Sequence, residues 1–195
     1  MSATNRGAAR VVHDFYGTPP HATAALLAEV ELPGGRWLEP CAGTGAIIRA
    51  VNQHREDVDW YAHEIRPEAR RQLQLLVAPG HLTIGDWLAG PEPASPYDVI
   101  ITNPPYTSAV AFIFRALNQA AWVVMLLRLN FLEARQRYEL MHHEMPDLNI
   151  LTTRPSYTGK GKCDATSYAW MVWPPERHRA AGQVRLLLPR EYDHE

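Results

Sequence analysis

The chain has 195 residues, enough for one domain with a substantial core, and its 46% hydrophobic and 21% charged residues are ordinary for a globular protein. Nineteen basic against 21 acidic residues give a formal charge of −2, which argues against a generic polyanion-coating protein but leaves room for a nucleic-acid enzyme with one local basic surface. Two cysteines, Cys41 and Cys163, suggest no disulfide framework. No apolar run reaches membrane-spanning length and the opening MSATNRGAAR lacks the apolar core of a signal peptide, so a cytoplasmic protein is expected.

Residues 1–10 read as a flexible tail, and 11–195 as a single domain without repeats or a linker. The prolines of TPPHATAALLAEV precede helical apolar spacing, which predicts a helix over 21–30, ended by LPGG. RWLEP is a first strand, followed by a glycine turn and the helix AIIRAVNQH. VDWYAHEI is a second strand and PEARRQLQLLV a helix; HLTIGD and YDVIITN are strands three and four. AVAFIFRALNQ is helical, AWVVMLLRLN a fifth strand, and LEARQRYELMHHEM helical again. LNILTT and SYAWMVW are the last two of seven strands, joined by the polar loop RPSYTGKGKCDAT, and QVRLLLP is a candidate further edge strand. Alternating strands and helices predict an α/β fold with a mostly parallel sheet covered on both faces, whose ligands lie beyond the carboxyl ends of the strands.

Three polar sites fall at such ends. In LEPCAGTGAII, Gly43 and Gly45 permit a tight turn into a helix whose free N–H groups suit a carboxylate or phosphate. Ile48 stands where a dinucleotide fingerprint needs a third small residue, so the turn alone is equally a plain strand–helix connection. Glu64 closes the second strand, placed to accept both hydroxyls of a ribose. Asp86 closes the third, placed to accept from an adenine amino group while Trp87 offers an apolar face. Each acid alone is an ordinary turn residue or helix cap; three in register describe a pocket for an adenosine with a charged tail.

TNPPYT, after the fourth strand, presents a different chemistry. Pro104 and Pro105 stiffen the backbone and donate no hydrogen bond, leaving the Asn103 side-chain oxygen and the Pro104 carbonyl as two fixed acceptors. Two acceptors suit an –NH₂ group, and Tyr106 supplies a ring on which a base stacks, worth about 1–3 kcal/mol. Holding both hydrogens of an exocyclic amine out of the ring plane returns its lone pair to nitrogen, so positioning and electrostatics can drive transfer without a covalent intermediate.

DFYGTPP, LEPCAGTGAI, HEI, GDWL and NPPY, in that order, resemble an S-adenosylmethionine-dependent amino-methyltransferase of the adenine-N6 type. RPSYTGKGKCDATSYAWMVW is similar to small phage-type members without a separate target-recognition domain. The resemblance runs from Asp14 to Trp173. It implies a Rossmann-like class I methyltransferase fold with an antiparallel last strand, S-adenosylmethionine as cofactor, and transfer to N6 of adenine in DNA, the base flipped out at a cost of a few kcal/mol. Tyr16, Thr18 and Pro19 would contact the methionine end, with Glu39, Pro40, Cys41, Ala42, Gly43 and Gly45 wrapped around it. Glu64 and Ile65 would take the ribose side, and Asp86 with Trp87 the adenine. Asn103, Pro104, Pro105 and Tyr106 would hold the target amine beside the cofactor. Tyr157 is placed like a second aromatic over the base, with Arg154, Lys160 and Lys162 facing backbone phosphates, although loop lysines are commonly just solvated.

Residues 46–102 are all accounted for by the core fold, so sequence reading must come from loops or from a protein partner, a second copy included; RNA stays open beside DNA. Protein-glutamine methyltransferases use the same amine motif but carry an N-terminal helical domain for which the residues before Asp14 leave no space. A non-catalytic, nucleic-acid-binding subunit would be expected to have lost the glycine turn or NPPY, and both stand; Ile48 and NPPY together disfavour a nicotinamide oxidoreductase. Pro40–Cys41 resembles the nucleophile of cytosine-C5 methyltransferases only superficially, since it lies in the glycine turn. His142–His143 lacks metal-ligand spacing and GKGKC lacks that of a P-loop, so no metal is expected.

Overall fold

A computed structural model describes residues 17–153, 166–176 and 182–188. Helix α1 (Pro20–Glu29) starts on a proline, whose missing N–H costs nothing at the first helical position. It is followed by β1 (Gly35–Glu39), α2 (Ala46–Asn52), β2 (Val58–Glu64), α3 (Arg70–Leu73), β3 (Leu82–Ile84), β4 (Tyr97–Thr102) and α4 (Ala109–Gln119). Then come β5 (Ala120–Arg128), α5 (Tyr138–His143), β6 (Asp147–Leu151), β7 (Tyr168–Trp173) and β8 (Val184–Leu187). The strands form one sheet in the order β3-β2-β1-β4-β5-β7-β6-β8. Every pairing is parallel except the two made by β7, which runs antiparallel to β5 and β6. The seven expected strands are present and the edge run adds an eighth, parallel to β6.

Alternation along the strands sorts the core into two layers. In β5, Val124 and Leu126 pack with Trp37, Trp60 and Trp170 under α1, α2 and α3, while Val123, Met125 and Leu127 pack with Phe112, Ile113 and Trp173 under α4 and α5. The buried indoles find acceptors, as such rings require. Trp170 Nε1 donates to Ala22 O at 2.8 Å, Trp37 Nε1 to Pro33 O at 3.0 Å, Trp60 Nε1 to Asn52 Oδ1 at 2.8 Å and Trp173 Nε1 to Glu144 O at 2.6 Å.

Two helices expected from the spacing are shorter in the structure. Of residues 67–77, only Arg70–Leu73 is α-helical, after a 3₁₀ turn at Pro67–Ala69. The i→i+3 bond from Leu76 N to Leu73 O tightens the chain there and keeps Leu76 against the core. LEARQRYELMHHEM likewise opens as 3₁₀ turns and is α-helical only from Tyr138 to His143. Its anchors are the buried Phe131 and Leu140, with Arg137 laid over the Phe131 ring at 4.2 Å.

The strand order reverses between β1 and β4, which places the ligand crevice at their carboxyl ends. There the Glu39 side chain, 2% exposed, accepts from the backbone N–H of Ile48 in the first turn of α2. That bond replaces the cap that Gly45, at the N-cap, cannot supply. Burial pushes the Glu39 carboxyl well above its ordinary 4.5, opposed by the Ile48 bond and reinforced by the charge of Glu64. Because the folded-state value lies above the unfolded one, the stability contributed by the protonated carboxyl is whole below pH 4.5 and is lost as pH rises through the folded value. Glu39→Gln, a neutral isostere that keeps the acceptor, should therefore melt higher than the parent above neutrality and lose that advantage near pH 4.5. Melting temperatures across the pH range check it, and a pH-independent difference would remove burial of the charge as the cause.

Candidate active site

The turn after β1 is laid against the end of β2 by backbone bonds: Ala42 N donates to His63 O at 2.9 Å, and Gly45 N to Ala42 O at 2.6 Å. Gly43 and Gly45 have φ of 57° and 82°, the left-handed region in which a Cβ is strained. At Gly45 a Cβ would also press on Leu76 Cδ1, so the bare backbone lets the turn sit close against the leucines of residues 73–76.

Glu64 is 4% exposed at the end of β2, and its carboxylate is held by three donors. Gly43 N donates to Oε2 at 2.6 Å, while Arg66 N and Arg66 Nε both donate to Oε1 at 2.9 Å. Two carboxylate oxygens offer about four acceptor sites, so Oε2 keeps one for a ligand hydroxyl. Ile65, next along, is 46% exposed, an apolar side chain turned to solvent just past the end of β2. Arg66 escaped the sequence reading; its only signal was a cation two residues beyond a strand-end acid.

Asp86 caps the 3₁₀ turn Trp87–Ala89, Oδ1 accepting from Leu88 N at 2.9 Å. Trp87 departs from the expectation. Its ring is 4% exposed, stacked on Phe112 at 5.3 Å with the Arg115 guanidinium 5.2 Å from its centre, so it belongs to the core and offers an adenine no face. Arg115, on α4, also donates to the carbonyls of Leu88 (3.0 Å), Gly90 (2.7 Å) and Pro91 (2.9 Å), fastening the Asp86 loop to the helix that follows NPPY.

Cys41 shows that these ends converge. Burial pushes its thiol well above the usual range; the charges of Glu64, Glu39 and Asp86 push the same way, and the Thr102 hydroxyl acts oppositely. A thiol surrounded by three carboxyl groups is held protonated and is no nucleophile. Glu39 Oε2 is buried with no hydrogen-bond partner. His63 is held down to about 4, by burial first and then by the charge of Arg115, which leaves it a weak base.

Asn103, half-buried just past β4, donates from Nδ2 to Thr18 Oγ1 at 3.2 Å, and Thr18 is itself 5% exposed. Pro104 is buried, and Pro105 and Tyr106 are half-buried. Tyr106 packs 6.1 Å from the Tyr168 ring at 47°, with the Arg128 guanidinium 4.7 Å from its own ring centre. Arg128 Nε donates to the Tyr168 hydroxyl at 3.1 Å. Antiparallel pairing puts the start of β7 opposite the end of β5, Arg128 against Tyr168, which is why both reach this edge. From sequence both read as ordinary strand residues, Arg128 within AWVVMLLRLN and Tyr168 within SYAWMVW. Tyr16, Arg154, Tyr157, Lys160 and Lys162, like the tail 1–10, lie outside the described residues. Among the described residues no group of three or more His, Cys, Asp or Glu could hold a metal ion, and no helix is long and apolar enough to cross a membrane.

No protein-family model matches the sequence, and no curated protein matches it. Solved structures do. The chain is similar to a candidate RNA methyltransferase from Pyrococcus horikoshii, with a TM-score of 0.60 and 20% identity over 83% of this chain and 88% of that one. A candidate class I S-adenosylmethionine-dependent methyltransferase from Listeria monocytogenes also has a TM-score of 0.60, at 16% identity over 93% of this chain and 67% of that one. A dimethyladenosine transferase from Plasmodium falciparum matches at 0.60 and 15% identity over 83% of this chain, which spans 63% of that protein. With the sheet order and the single antiparallel strand, these likenesses show that the chain has the class I S-adenosylmethionine-dependent methyltransferase fold.

Proposed function

We propose that the protein transfers a methyl group from S-adenosylmethionine to the N6 amino group of adenine in nucleic acid, with DNA as the polymer. The observation that carries this reading is the pairing of two unlike half-sites at one sheet edge. One is a ring of three carboxyl groups around the glycine turn, and the other is the stiff acceptor turn at Asn103. Carboxyl groups repel a phosphate-bearing cofactor and favour one whose amine and sulfonium are positive. The unpartnered Glu39 Oε2 suits the ammonium of a methionine tail, and the remaining site on Glu64 Oε2 suits a ribose hydroxyl. When bound, S-adenosylmethionine supplies a methyl group on a sulfonium, which leaves as a neutral thioether.

The chain's own residues then position the amine. Asn103 Oδ1 and the Pro104 carbonyl accept its two hydrogens and aim the nitrogen lone pair at the methyl carbon. Tyr106 covers the base, with Arg128 and Tyr168 bracing its ring. The nitrogen becomes cationic on transfer and sheds its proton to water, so no dedicated strong base is needed. β6 ends and β7 begins at this same edge, which supports Tyr157, Arg154, Lys160 and Lys162 of the connecting segment as contacts to base and phosphates. The match to a dimethyladenosine transferase supports adenosine as the acceptor class. RNA is the second reading, favoured by the similarity to a candidate RNA methyltransferase.

Purified protein incubated with labelled S-adenosylmethionine and DNA or RNA should yield N6-methyl-2′-deoxyadenosine from DNA or N6-methyladenosine from RNA by mass spectrometry, and which nucleoside is found decides between the two readings. Asn103→Ala and Tyr106→Ala should lower kcat by about 10²-fold or more while cofactor still binds by calorimetry. Full turnover in either variant would sink the mechanism. Cys41→Ser should lower kcat by less than about tenfold, whereas loss of a covalent nucleophile would abolish turnover.

A further inference from the structure

A side-chain amide has two ends of opposite character, a carbonyl that accepts and an –NH₂ that donates. The transfer proposed above needs one of them only. With Oδ1 toward the target amine Asn103 is a clamp; rotated by half a turn, it points hydrogens at hydrogens and repels its substrate. The two orientations have nearly the same shape, so packing alone does not choose between them. A hydrogen-bond partner on the far side does.

That partner is Thr18. Its Oγ1 lies 3.2 Å from Asn103 Nδ2, across 85 residues of sequence, and Thr18 is 5% exposed, so little water competes for the bond. Three local constraints fix the hydroxyl in place. Thr18 precedes Pro19, which restricts its backbone to extended conformations. Its β-branch restricts χ1. Pro19, at φ −61° and ψ 137°, leads directly into α1, and α1 is tied to the sheet by the bond from Trp170 Nε1 to Ala22 O. We infer that Thr18 is a positioning residue for amine transfer, which holds the Asn103 amide with Nδ2 inward and Oδ1 facing the acceptor. This rests on the methyl-transfer reading and departs from the contact to the methionine end that the motif resemblance implies for Thr18.

The test separates the two roles. Thr18→Val keeps the shape and removes the acceptor. It should lower kcat by about tenfold, the scale of one lost hydrogen bond, and leave the dissociation constant for S-adenosylmethionine within about twofold. Thr18→Ser, which keeps the hydroxyl, should recover most of the lost kcat. A readout independent of turnover is the Asn103 side-chain –NH₂ signal in the nuclear magnetic resonance spectrum, assigned by its loss in Asn103→Ala. In the wild-type protein it should show a cross-relaxation contact to the Thr18 methyl group, and in Thr18→Val it should shift. Unchanged kcat with cofactor binding weakened about tenfold would overturn the inference and return Thr18 to the cofactor. Wild-type turnover without that contact would overturn it alone. Cofactor binding without methylation of either DNA or RNA would instead overturn the methyl-transfer reading, and the kinetic role of Thr18 with it.

Discussion

Two carboxyl groups buried at the ends of adjacent parallel strands govern the rest of this structure. Glu39 and Glu64 are 2% and 4% exposed, close enough that the charge of one disfavours that of the other. Burying such groups costs free energy unless donors surround them, and the chain supplies donors from the elements that follow each strand. Gly43 N–H reaches Glu64 and binds the turn after β1 to β2, while Ile48 N–H reaches Glu39 and sets the start of α2. The turn, the helix entry and the crevice floor are thus one hydrogen-bonded unit. It remains electrostatically unfavourable in isolation, since Glu39 Oε2 has no partner and its carboxyl is pushed strongly toward the neutral form. A cationic ligand such as the proposed cofactor would relieve both penalties together.

Much of this was legible in the sequence because parallel strands buried on both faces read as continuous apolar runs with a polar residue at each stop. YDVIITN and AVAFIFRALNQ match β4 and α4 to within a residue at either end, since burial dominates both. PEARRQLQLLV and LEARQRYELMHHEM have helical apolar spacing yet form only short helices, because a few anchors suffice to hold them, Leu73 and Leu76 in one and Leu140 with neighbouring Phe131 in the other. Trp87 shows the opposite failure. Its place beside a strand-end acid suggested a ligand face, whereas a large aromatic ring is drawn to the nearest core, here Phe112 and Arg115 on α4. Residues whose importance comes from contacts across the sheet, such as Arg66, Arg115, Arg128 and Tyr168, leave no local period and are visible only once the strands are ordered.

The two half-sites are joined by fastenings that lie outside either motif. Arg115 holds the Asp86 loop to α4, the helix that begins just after NPPY, so the Asp86 loop and the NPPY turn share one rigid element. On the opposite face α1 does the same for Thr18 and Asn103. That helix is anchored by Trp170 from β7 and packs in the core layer that includes Leu187 of β8, 1% exposed. The eighth strand therefore supports α1, although it stands at the far edge of the sheet with Val184 and Leu186 turned to solvent. Its inward leucine completes the layer against which α1 rests, and α1 follows directly on Pro19 and on Thr18, whose hydroxyl accepts from the Asn103 amide. An error of about 1 Å in that chain of contacts is enough to cost an acceptor its alignment. If Asn103 is the clamp proposed above, its alignment is thus a property of how the first helix closes on the last strands, as much as of the four residues of NPPY.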